Sequence, residues 1–232
     1  MTTASPDSGS RRFPARYADV ATNRERYRDL VDRLAPHFFR SDPLADEVVT
    51  FFASLPPGRG KAWLDQALDH GVASIPDAPA PLVRFFEAVD HVPLWVDWDR
   101  INLGGETYLR AGVLGAGALL CYSLPWGYLS PGANKPLVFS GRLVQRAYRR
   151  LLETSRFVLE TCLPDGMRRH GAGFKVNVRV RIMHAQVRRL LWTSGRWRED
   201  EWGAPINQCD LLSGNLLFSI IVIDALTRTG FL

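Results

Sequence analysis

Apolar positions along this chain recur mostly at spacings of three and four, the signature of helices that bury one stripe. "NRERYRDLVDRLAPHFF" predicts a helix opening on Asn23 as N-cap and running until Pro36 disturbs it. "SDPLADEVVTFFASL" takes Ser41 or Asp42 as cap with Pro43 in the first turn, and stops at Pro56-Pro57. "GKAWLDQALDHG" ends on Gly71, a glycine C-cap, and "APLVRFFEAVDHV" is a further short helix. Asp97 or Asp99 caps the next element, whose run from Glu106 to Leu124 is apolar enough to predict a central, nearly buried helix. A loop with helix breakers, "LPWGYLSPGANKP", leads to a helix over 140–162, and the loop "PDGMRRHGAG" leads to a helix holding His184. The polar loop "SGRWREDEWGAP" precedes a last helix from about Asn207 to Arg228.

One stretch argues against the trend. "KVNVRVRI" alternates with period two, as a strand does, yet "VRRLLW" directly after it returns to helical spacing. With helices on both sides and no convincing strand partner, the segment is assigned to the helix and the fold class to all-α. The serine-, proline- and charge-rich residues 1–15 predict a disordered tail, leaving 16–232 as a single domain.

Composition narrows the function classes only a little. Apolar residues make up 46% and charged residues 23%, the balance of a soluble globular protein. The net charge of +5 rests almost wholly on arginine, with lysine only at positions 61, 135 and 175. A basic balance alone reports solubility as readily as anion binding, so no nucleic-acid partner is expected. No run of ~18 consecutive apolar residues announces a membrane span, and the twin arginine at 11–12 has no apolar segment behind it to make an export signal. Cys121, Cys162 and Cys209 are odd in number and widely spaced, which fits a reducing, cytoplasmic setting better than a disulfide framework.

Candidate chemistry concentrates on two helices. Around His184, residues three and four away share its face, so Val180, Arg181, Val187, Arg188 and Leu191 surround one imidazole with two guanidiniums on an apolar stripe. One reading has both arginines meeting carboxylates and the histidine packed in the core; the other has them recognising a ligand's carboxylates. On the 140–162 helix, Leu143, Ala147, Arg150, Thr154 and Phe157 or Val158 form one stripe, with Glu153 beside it. A charge and a hydroxyl on a face that should be buried suit either helix packing or a polar patch in an apolar small-molecule pocket. "GVLGAG" has neither the glycine order nor the strand–helix context of a dinucleotide loop, and "GRGK" lacks the phosphate-loop spacing. Gly112, Gly115 and Gly117 instead suggest close approach of another helix or a flat ligand. No paired metal-ligand histidines and no nucleophile elbow occur. A single imidazole in a helical protein, with arginines nearby, best matches a haem.

The segments "LWVDWDRINLGGETYLRAG", "GRLVQRAYRRLLETSRFV", "VRVRIMHAQVRRLLW" and "WGAPINQCDLLSGNLLFS" together resemble, in order, the latex-clearing-protein and MpaB-type haem oxygenase family over about residues 80–230. The resemblance implies a globin-like helical bundle around a b-type haem pocket and cleavage of carbon–carbon double bonds with dioxygen. It implies His184 as the proximal iron ligand, Arg181 as its supporting arginine, and Arg150 and Thr154 as the distal arginine and threonine of an R-x-x-x-T block. Arg188 is placed with them as cofactor-binding. Two positions depart from the family: Glu153 stands where rubber-cleaving members carry an iron-capping lysine, and Asn134 and Lys135 stand where a catalytic carboxylate is expected. Glu153 is the substitute candidate for that acid. The implied partners are a small hydrophobic unsaturated substrate and dioxygen, with a second subunit supplying a missing wall where the chain is short for the family. The alternatives are a haem-binding or haem-sensing protein without turnover, and a cofactor-free helical interaction module.

Overall fold

The computed structural model describes residues 13–17, 19–139 and 147–232, and every regular element among them is helical. In chain order the helices are α1 (Val20–Tyr27), α2 (Asp29–Leu34), a 3-10 turn (Ala35–Phe39), α3 (Pro43–Phe52), α4 (Arg59–His70), α5 (Ala80–Asp90) and α6 (Trp98–Gly117). A π-helical segment (Ala118–Ser123) follows, then α7 (Leu124–Tyr128), α8 (Pro131–Phe139), α9 (Ala147–Cys162), α10 (Ala172–Thr193), α11 (Glu199–Trp202), α12 (Gln208–Leu217) and α13 (Ile220–Arg228). Of the predicted tail, residues 1–12 lie outside the described residues, whereas Phe13 and Tyr17 pack on Phe38 and Ala15 N–H donates to Asp200 O.

Local signals place several helix ends where the sequence puts them. Asp42 caps α3 by accepting from Ala45 N–H at 3.3 Å, ahead of Pro43, and Asp97 caps α6 by accepting from Asp99 and Arg100 N–H. Gly71 ends α4 at φ 82°, a region closed to most side chains. Asn207 and Asp210 form a reciprocal capping box at the start of α12. The period-two segment is helical throughout, inside the unbroken α10. Other expectations change. The first helix starts at Val20 and breaks at Arg28 (φ 47°, ψ −124°), so Asn23 is interior rather than a cap.

The molecule has two cores. The first gathers Ala45, Val48, Leu68, Leu82, Phe85 and Phe86 from α3, α4 and α5, closed by Val178, Ile182 and Ala185 of α10. The second joins Ala111, Ala118, Leu119 and Val158 to Val222, Ala225 and Leu226 of α13. The helix predicted over 106–124 as nearly buried is instead kinked at Gly112 (φ 53°, ψ −120°), turns π-helical at Ala118, and leaves Val113 and Leu114 in solvent. Among the described residues no other helix makes the close approach expected at Gly112 and Gly117, for a Cβ at either would meet no neighbouring protein atom. Such an approach occurs two turns before Gly112, at Gly105, where a Cβ would strike the backbone of Cys162 and so separate α6 from α9. No single run is apolar throughout, yet Gln208–Arg228 taken together is long and apolar enough to cross a membrane by length and composition. Polar residues are spaced along it, so it holds no unbroken apolar run of the kind sought in the sequence.

A candidate site on the α9–α10 hairpin

Helices α9 and α10 are consecutive, joined by a tight loop, and pack side by side. Gly173 permits the contact, since a Cβ there would lie 2.7 Å from Thr161 Cα. Asn177 fixes the register by donating from Nδ2 to Thr161 Oγ1 at 3.0 Å and to Gly173 O at 2.8 Å. From that bond the two antiparallel helices run together. Seven residues, two turns, return each helix to nearly the same face, about 10 Å along the axis. Counting from Thr161 gives Thr154, and counting from Asn177 gives His184. The two therefore sit level, with Arg150 one turn further on.

These three side chains share a second property. Among the described residues, no hydrogen bond or ion pair engages the Arg150 guanidinium, the Thr154 hydroxyl or the His184 ring, although all three are only partly exposed. Burial pushes the His184 pKa down to about 4, with the Arg188 charge adding to the effect and Asp42 opposing it. The imidazole is thus neutral at neutral pH, with a free lone pair.

The arginines flanking His184 are committed to carboxylates of α3. Arg181 forms a two-pronged pair with Asp42, Nε to Oδ2 at 2.6 Å and Nη2 to Oδ1 at 2.9 Å, and stacks over Phe85 at 5.0 Å. The pair with Arg181 holds the Asp42 carboxyl below its ordinary value against the opposing effect of burial. Arg188 is fully buried; its Nε donates to Asp46 Oδ1 at 2.7 Å and its Nη1 to Ile206 O at 3.4 Å. Arg188 Nη2 and Asp46 Oδ2 have no partner among the described residues. Asp42 and Asp46 are the site-supporting residues that sequence reasoning missed. Asp42 carried a signal, but for a helix cap, and nothing local tied either to an arginine some 140 positions away (139 and 142).

Glu153 lies on the outer side of α9, paired with Arg149 at 2.8 Å in solvent. Asn134 donates to Gly127 O of α7 and to Ser130 O just before α8, and Lys135 sits over Trp202 at 4.1 Å. Leu143 lies outside the described residues. Phe157 packs edge-on against Phe218 at 5.7 Å, and Val158 belongs to the second core. The loop holding the G-x-P-I-N-Q block is a brace: Ala204 N–H donates to Phe38 O, Gln208 N–H to Arg40 O, and Gln208 Nε2 to Ser41 O. It bends through Gly203 (φ 76°) and Ile206 (φ 51°), and the Ile206 carbonyl meets Arg188.

As a metal-binding donor set this hairpin offers the single imidazole of His184. No group of three or more metal-binding side chains occurs among the described residues. An ion held here through His184 would have to bring its other ligands with it, as iron does in a porphyrin. Arg188 Nη2 is the free donor available to a carboxylate of such a group, while Arg181 has two of its nitrogens occupied. Two open clefts, of about 600 and 220 Å³, lie elsewhere, the first lined by His37, Arg40 and Gln208 and the second by Phe52, Gln186 and Arg189.

Residues 106–231 match the family described as ER-bound oxygenase mpaB/B'/Rubber oxygenase, catalytic domain. The rubber oxygenase of Streptomyces sp. (strain K30) is 29% identical over 159 residues, covering 66% of this chain and 37% of that protein. The chain thus spans well under half the length of that relative. No solved structure matches. The matched region contains the α9–α10 hairpin, the brace loop and the second core, and on that match this chain belongs to the mpaB/rubber oxygenase catalytic-domain family.

Proposed function

We propose that this chain is a haem b-dependent oxygenase acting on a small, hydrophobic, unsaturated substrate with dioxygen. The observation that carries the reading is that His184, Thr154 and Arg150, on two packed helices registered by the Asn177–Thr161 bond, are partly buried and have no hydrogen-bond or ion-pair partner among the described residues. His184 would hold the iron, and Arg188 Nη2 would meet a haem carboxylate. Bound haem supplies the means to activate dioxygen toward a carbon–carbon double bond.

The chain's own residues contribute position and charge. Burial keeps the His184 ring unprotonated, so its lone pair is available across the neutral range. Arg150 and Thr154 offer hydrogen-bond donors to an oxygen that gains negative charge during the reaction, and their partial burial strengthens that contact. Apolar side chains of α6 and α9 favour a hydrophobic substrate over a polar one. The unpaired thiols suit a reducing compartment.

Absorption spectroscopy tests the assignment. Protein titrated with haemin should develop a sharp Soret band, and His184→Ala should lose it while Leu190→Ala, on the exposed side of α10, keeps it. Unchanged loading of His184→Ala would overturn the ligand assignment. A second reading, haem binding without turnover, is favoured by the absence of an acid at positions 134 and 135 and by the engagement of Glu153 with Arg149. Dioxygen uptake with a panel of terpenoid and unsaturated fatty-acyl compounds separates the two.

A further inference from the structure

The second core leaves an apolar face uncovered. Leu212 and Leu216 lie four apart on α12, and Ile220 and Ile223 lie three apart on α13, so each helix presents one apolar pair on either side of the break at Ser219. Each is between 40% and 59% exposed. No charged residue stands between Asp210 and Asp224. α7 extends the face: its backbone rests on α12 at Gly127, where a Cβ would lie 2.7 Å from Leu217, and Ser123 Oγ donates to Leu217 O. On α7 and at its end, Trp126 is 51% and Leu129 71% exposed. The six side chains together leave roughly 600 Å² of apolar surface in water, at or above the largest patch of an ordinary monomer.

We infer that a second copy of this chain covers the face, forming a homodimer through α7, α12 and α13. A standard interface takes about 800 Å² from each partner, about 65% of it apolar in homodimers, or roughly 500 Å². The face supplies that much by itself. A two-fold pairing sets the same patch against itself, and the uncharged face is the part of this net-positive chain that can approach its copy without like-charge repulsion. The break between the helices at Ser219 (φ −125°, ψ −89°) and the packing of Val222, Ala225 and Leu226 into the second core hold these pairs on the surface of the body. The pairing does not depend on any bound cofactor.

Light scattering coupled to gel filtration, at tens of micromolar protein, should give twice the 26.1 kDa chain mass. Ile220→Glu buries a charge at the two-fold contact and should weaken the dimer about a hundredfold. Leu212→Lys, further from the core, guards against misfolding of the first variant and should weaken it at least tenfold, with far-UV circular dichroism unchanged. Leu94→Glu, on the fully exposed linker before α6, should remain dimeric. A monomeric wild type, or dimers of unchanged affinity in both face variants, would overturn the inference. So would a monomer that floats with phosphatidylcholine vesicles, which would assign the face to a bilayer.

Discussion

The two cores are built from similar residues and reach different degrees of closure. In the first, Ala45, Val48, Leu68, Leu82, Phe85, Phe86 and Ala185 have no exposed surface. In the second, no member is sealed completely, and the helices around it leave Val113, Leu114, Tyr148, Leu152, Leu159, Ile220 and Ile223 in water. The first core closes because three amphipathic helices and α10 present stripes to one another. The second is assembled from interrupted helices, kinked at Gly112, π-helical from Ala118 and broken at Ser219, which cannot present a continuous stripe inward. The family match, residues 106–231, covers the open part together with α10 and leaves out α3, α4 and α5. One half is thus sealed, while the other leaves apolar surface exposed.

The comparison is broken most directly by deletion in each core. Phe85→Ala removes a fully buried ring packed against Phe86 at 5.5 Å and beneath Arg181, and should cost about 4 kcal/mol in urea unfolding. Val222→Ala in the second core should cost about 1 kcal/mol, because fewer atoms are lost and the site is less enclosed. Equal losses would abolish the distinction. The joint between the halves comes next. Asp46→Ala strands the buried Arg188 guanidinium and should cost about 3 kcal/mol, whereas the paired change Asp46→Ala with Arg188→Met should recover much of it.

Acid sharpens the contrast, because burial displaces His184 against the first core and Asp210 in the other half in opposite senses. His184, against the first core, is depressed to about 4, so below pH ~6.5 the unfolded chain takes a proton that the folded chain refuses, and stability falls as pH drops from 6.5 to 4. Asp210, at the start of α12, is raised to about 6 by burial, against the pull of its hydrogen bond from Asn207 N–H. There the folded chain holds a proton longer than the unfolded one, so stability falls as pH rises from 3.8 to 6. The two slopes oppose each other between pH 4 and 6. Urea midpoints of cofactor-free wild type should therefore change little from these groups in that window. Asp210→Asn should become clearly acid-sensitive by up to about 2 kcal/mol, and His184→Gln should tilt the other way. The smallest effect belongs to the exposed Arg149–Glu153 pair. Glu153→Gln should shift stability by less than about 0.5 kcal/mol, and a larger change would mean the carboxylate meets more than Arg149.

Much of the framework was readable because its causes are local. Asp42 with Pro43, Gly71, Asp97 and Asn207 mark helix ends through contacts within four residues, and the chain alone contains both partners. The candidate site was half readable. His184, Arg150 and Thr154 stood out as polar groups on apolar stripes, but their level placement needed the Asn177–Thr161 bond, which joins two helices. The burial of the 106–124 helix was misjudged for the same reason: an apolar run shows that a helix can be buried, not that anything covers it.

By itself, then, the sequence determined that this protein is helical, where most helices begin and end, and which family its blocks belong to, because short-range hydrogen bonding and side-chain spacing act within a few residues. Only the tertiary structure decided that Arg181 and Arg188 are held by Asp42 and Asp46, that Glu153 faces solvent, and that one core is sealed while the other is open. Those outcomes depend on which distant surfaces meet, and pairwise contact between residues some 140 positions apart (139 for Arg181–Asp42, 142 for Arg188–Asp46) leaves no periodic trace in a single chain.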